Sequence, residues 1–131
     1  MTARELRDLM ARQRGGHRSP EFEWIAELDP EFMAAYNTMA AKAFGLPADG
    51  PDNHALSRKT KELIALAMLT GQRDWERTPT HLRRLIALGA SDREILEALE
   101  TAATIAGGPA MRGGVEILLR IRSDGDAAAE Q

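Results

Sequence analysis

The chain has no cysteine, few aromatic residues and no long apolar run, and each absence closes a class of function. Without cysteine in 131 residues there can be no disulfide, no thiolate nucleophile and no cysteine-bound zinc or iron–sulfur centre. The three histidines, His17, His54 and His81, form neither a His-x-x-x-His nor a His-x-x-Glu pair, so no metal and no other cofactor is expected. Also missing are a glycine-rich phosphate loop after a strand and a Gly-x-Ser-x-Gly elbow. The longest apolar run, Leu63 to Leu69, falls far short of the roughly 20 residues that span a membrane. The opening MTARELRDLM lacks the apolar stretch of a signal peptide, and the chain reads as cytoplasmic. A net charge of -3 and a pI near 5.6 provide no basic footprint for nucleic acid, which would call for a pI above about 9.

What is present favours helices. The chain is 44% hydrophobic and 28% charged, rich in Ala, Leu, Glu and Arg and only 5% aromatic, the profile of an all-α protein. Its length fits one domain able to bury roughly two thirds of its unfolded surface. Residues 2 to 14 carry a thin stripe of Leu6, Leu9 and Met10 stopped by Gly15-Gly16, an N-terminal helical arm within residues 1–20 that packs on the domain or on a neighbouring subunit. Arg18 to Glu21 reads as a connector, followed by a helical turn or two from Phe22 to Leu28. Asp29 caps a helix with Pro30 at its first position, ended by Gly45, and residues 46–55 form a loop with a solvated His54. Ser57 can cap the next helix, whose body from Glu62 to Thr70 is apolar almost all round and should be central to the core. Thr78-Pro79 offers a cap and first-turn proline for a helix ending at Gly89, with Asp74 as an alternative start. Ser91 to Glu94 is a capping box. After Gly107-Gly108-Pro109 a last helix runs from Met111 to Ile121, with Gly113 and Gly114 permitting close backbone approach, and residues 123–131 form a frayed tail.

Two residues in this core-like sequence are not needed for packing. Glu62 shares a helix face with Leu66 and Leu69, and an acid in apolar surroundings is suited to proton exchange. His81, near a helix N-terminus that suits neutral imidazole, can serve as its base. Both also have an ordinary explanation, which position alone favours: Glu62 paired with Arg58 or Lys59, His81 a hydrogen-bonded structural residue. Arginines 73, 77, 83, 84 and 112 are available to hold a carboxylate, most of them as plain surface.

The segments LSRKTKELIALA, HLRRLIALGASDREILEAL and IAGGPAMRGG, in that order, resemble the carboxymuconolactone decarboxylase family, which includes the alkylhydroperoxidase D branch. The resemblance runs from Leu56 to about Leu118, and DPEFMAAYNTMAAKAF is similar to the helix before it. It implies an alkylhydroperoxidase D-like bundle of about six to seven helices that associates as a homo-oligomer, commonly a trimer or hexamer. In the peroxidase branch a Glu precedes Cys-x-x-Cys-x-x-x-His. Glu62 and His81 match its ends, while the cysteine positions fall on Asp74 and Arg77, which rules out disulfide-mediated peroxide reduction. The decarboxylase branch has a His-Leu-Arg segment that His81-Leu82-Arg83 reproduces. Its Tyr-Ala-Gly-Trp-Pro-Ala segment is Ile105 to Ala110 here without the two aromatics, which implies an altered substrate.

The resemblance therefore implies a cofactor-independent lyase acting on a small carboxylated lactone or cyclic metabolite of aromatic-compound breakdown. His81 and Glu62 would be its catalytic pair, and Arg77 or Arg112 would anchor the substrate carboxylate. An isomerase or hydratase on the same scaffold, and a non-catalytic oligomeric ligand-binding paralogue, remain open alternatives.

Overall fold

The computed structural model describes residues 1–47 and 49–130, without the side chains of 126–130. Seven helices and no strand occur among the described residues, which makes the fold all-α. In order they are α1 (Ala3–Gln13), α2 (Pro20–Leu28), α3 (Pro30–Phe44), α4 (Arg58–Gly71), α5 (Thr78–Ala87), α6 (Asp92–Ala106) and α7 (Gly108–Glu130). The chain divides into two compact units, Met1–Arg58 and Lys59–Gln131. No helix among the described residues is long and apolar enough to cross a membrane.

In the first unit α1, α2 and α3 pack on one another around Leu6, Met10, Ala26 and Met33. Thr2 and Glu5 form a reciprocal capping box that opens α1, with bonds of 3.1 and 2.9 Å. Helix α2 is longer than the expected turn or two. It begins inside the predicted connector because Ser19 accepts the Phe22 N–H at 3.3 Å and Pro20 fills the first helical position, the same chemistry that Asp29 and Pro30 supply to α3. Buried Asn37 ties α3 to the end of α1, accepting from Arg14 at 2.7 Å and donating to Gln13 at 2.9 Å. Gly45, at φ 69°, closes α3 in the left-handed region. The loop after it is gathered by buried Arg58, which donates through Nε to the Gly45 carbonyl and through Nη2 to that of Pro51 at 2.8 Å. His54 is exposed, as expected.

The second unit has the larger aliphatic core, formed by Leu66, Leu82, Leu85, Ile95, Leu99, Ile117 and Leu118. Each such side chain, fully buried, contributes about 1.5–3 kcal/mol. Helix α7 packs against α5 and α6. The approach to α6 requires Gly114, where a Cβ would stand 2.5 Å from Leu99 Cδ2. The Ser91–Glu94 capping box opens α6 with bonds of 3.0 and 2.9 Å.

Three expectations need correction. Helix α4 is not buried all round, since Ile64 and Met68 are exposed opposite Leu66 and Leu69. Thr78 does not cap α5. It is the first helical residue, buried, and its hydroxyl donates to the Asp74 carbonyl at 2.8 Å, while the Asp74 carboxylate accepts the Arg77 N–H at 3.1 Å. The two starts weighed for this helix are thus parts of one device, an Asp74 turn that leads into it. Finally, α7 continues past Ile121 to Glu130, because a polar, alanine-rich segment propagates a helix already begun. The frayed-tail expectation for the side chains of 126–130 and for residue 131 falls outside the described residues.

Candidate functional site

Glu62 lies in the second turn of α4, one turn before Leu66, and the spacing that buries Leu66 also buries its carboxylate, whose side chain is 4% exposed. A carboxylate there needs partners, and α5 supplies two. His81 Nδ1 lies 2.5 Å from Glu62 Oε2, and Arg84 Nη1 lies 3.4 Å from Oε1. His81 and Arg84 share a face of α5 by their three-residue spacing. Nδ1 and a carboxylate oxygen at 2.5 Å must share a proton, since two lone pairs would repel. The Arg84 cation on the other oxygen favours the arrangement in which imidazole donates and carboxylate accepts. A neutral His81 then carries its lone pair on Nε2, the nitrogen equipped to take or give a proton.

The two partners first expected for Glu62 are engaged elsewhere. Arg58 holds the loop carbonyls, and Lys59 pairs with Glu94 at 2.8 Å. The arginine that reaches Glu62 is Arg84, one of five considered from sequence. The signal that picks it out is its i+3 position from His81.

Arg77 and Arg112 do not join this cluster. Arg77 Nε is bonded to Asp74 at 2.6 Å on the connector before α5, and its side chain is two-thirds exposed. The Asp74 carboxyl is held below its ordinary range, chiefly by the side-chain bond from Arg77 and next by the Arg77 backbone N–H, with His81 near enough to add a smaller electrostatic contribution. Arg112 lines a separate groove beside α7. No cluster of three or more His, Cys, Asp or Glu able to hold a metal ion occurs among the described residues.

The model of the carboxymuconolactone decarboxylase family matches residues 30–119, more than half of the chain. The chain belongs to that family. A carboxymuconolactone decarboxylase family protein from Legionella pneumophila, solved in its apo form, is similar at 26% identity with a TM-score of 0.65, over 92% of this chain and 95% of that one. A protein from Burkholderia xenovorans LB400, provisionally named a carboxymuconolactone decarboxylase, superposes with a TM-score of 0.74 at 22% identity over 99% of both chains, a likeness of fold. No curated protein matches the chain. The matched residues include Glu62, Asp74, Arg77, His81 and Arg84.

Proposed function

We propose that the chain is a cofactor-independent decarboxylase of a small carboxylated lactone or cyclic metabolite from aromatic-compound breakdown, working as a cytoplasmic homo-oligomer, a trimer or hexamer. The observation that carries this reading is the 2.5 Å contact between buried Glu62 and His81 in a member of this family. In the reaction the bond between the ring carbon and the carboxylate breaks, carbon dioxide leaves, and the electron pair stays on the carbon, delocalised toward the ring carbonyl. His81, which has taken a proton from solvent onto Nε2, delivers it to that carbon and returns to the neutral ring with its Nδ1 hydrogen still bonded to Glu62. Glu62 holds the imidazole by Nδ1 and compensates its charge as it changes protonation, and Arg84 holds Glu62 in place. Of the two arginines expected to anchor the substrate carboxylate, we assign the role to Arg77, which lies just before α5, the helix that carries His81, and whose guanidinium suits a carboxylate.

The test is release of carbon dioxide from carboxymuconolactone and ring analogues. His81→Ala is expected to lower kcat by about 10²–10⁴-fold, the usual worth of general acid–base catalysis. Unchanged turnover in that variant would refute the mechanism. Burial of Glu62 also suits a second reading, a non-catalytic paralogue in which the pair only supports the fold. That reading predicts that His81→Asn and Glu62→Gln lower stability and that no substrate in the series is turned over. Ring-proton exchange without carbon dioxide release would point to an isomerase on the same scaffold.

A further inference from the structure

A groove of about 780 Å³ runs along α7, within the size range of small-ligand clefts. It shares no residue with the Glu62–His81 cluster. The separation follows from the helix geometry of α5: Pro79 faces the groove, while His81, two residues on, lies about 200° around the axis. The α7 wall is a single stripe, Pro109, Arg112, Gly113, Glu116 and Arg120, at spacings of three, four, seven and eleven residues. Trp75 of the connector also lines the groove. Its indole rests on α7 because residue 113 is glycine: a Cβ there would be 2.8 Å from ring atoms Cζ2 and Cζ3. The glycine thus admits the edge of the indole to a groove that Pro79 and Pro109 also line.

The two groove cations differ. Arg120 is paired with Glu116 at 2.9 Å, whereas Arg112 has no hydrogen-bond or ion-pair partner among the described residues. We propose that this groove is a binding site for a small aromatic carboxylate, its ring against Trp75 and its carboxylate on Arg112, distinct from the proton-transfer pair. An apolar acid meets both demands of the wall, flat apolar contact and one uncompensated positive charge. A neutral ring lacks the second and a simple inorganic anion lacks the first.

The chain has two tryptophans, so Trp24→Phe leaves Trp75 as the single indole reporter. Titration of this protein with benzoate is expected to change Trp75 emission saturably, with weaker responses to benzamide, cyclohexanecarboxylate and sulfate. Arg112→Gln should weaken benzoate at least tenfold, and Gly113→Ala, which displaces the indole, should weaken it while leaving the fold intact by circular dichroism. Arg77→Gln and His81→Ala should bind benzoate unchanged. Retained binding in His81→Ala separates this site from the catalytic proposal, since either can fail alone. A linear response, equal responses to benzoate and benzamide, or an Arg112→Gln variant that binds normally would overturn the assignment. So would a response that disappears as protein concentration rises, which would give the groove to a second copy of the chain.

Discussion

The two units bury polar groups for different purposes. In Met1–Arg58 the buried polar residues gather chain: Asn37 ties α3 to the end of α1, and Arg58 collects the loop carbonyls of Gly45 and Pro51. In Lys59–Gln131 buried Thr70 and Thr78 hold backbone carbonyls in the same way, but the buried carboxylate of Glu62 joins an imidazole, two groups able to exchange a proton. The cores differ in the same sense. Two methionines, Leu6 and Ala26 fill the first, while the second is almost wholly Leu and Ile. Sites with fixed geometry need neighbours that hold their rotamers, and branched aliphatics do this better than methionine. The proton-holding pair therefore sits in the unit built to hold it still.

Core truncation tests that contrast with the largest effect. Leu99→Ala in the second unit should cost toward the upper end of about 2–5 kcal/mol, because Gly114 beside it has no side chain to refill the space. Met33→Ala in the first should fall toward the lower end of the same range, since Met10 can adjust. Urea unfolding measures both, and equal losses would erase the distinction between the cores.

Caps come next. Ser91→Ala removes one bond of a reciprocal box and should cost about 1 kcal/mol. Ser19→Ala removes a single, longer bond of 3.3 Å and should cost about half as much. A larger loss at Ser19 would show that the first unit depends more on its helix ends than its packing implies.

The smallest effect is in pH dependence. Glu94 is held below its ordinary 4.5, first by Lys59 and then by the Ser91 N–H, and Asp8 is held below its ordinary 3.8 by Arg18. A lowered folded-state value means stabilisation that is complete above the unfolded value and disappears as pH falls through the folded one. Acid should therefore weaken the second unit's contact from about pH 4.5 and the first unit's only below about pH 3.8. Glu94→Gln and Asp8→Asn should each flatten the corresponding part of a stability-versus-pH curve, and identical curves for both variants would contradict this order.

Much of this was legible in sequence where local chemistry decides the outcome. The Asp29-Pro30 start, the Gly45 and Gly89 stops, the Ser91–Glu94 box and the close approach at Gly114 each depend on residues within a turn or on the absence of a Cβ. The same cap-and-proline rule applied at Ser19-Pro20, where the weak apolar pattern of α2 concealed it. The start of α5 was misplaced because Asp74 organises a turn four residues ahead of the helix, a tertiary-like device with no periodic signature. At the site, Glu62 and His81 stood out as a polar pair in apolar sequence, but their direct bond depends on how α4 meets α5, which periodicity does not encode. Arg84 was hidden for the same reason, as one of several arginines whose partners are fixed only by packing.

The central claim is that Glu62 and His81 share one proton within the folded protein. A long-range 15N–1H spectrum of the His81 imidazole near neutral pH, recorded for the wild type and for Glu62→Ala, tests it most directly. The account predicts a hydrogen held on Nδ1 in the wild type and a shifted, redistributed Nδ1 signal once Glu62 is removed. Indistinguishable His81 signals in two folded proteins would contradict it.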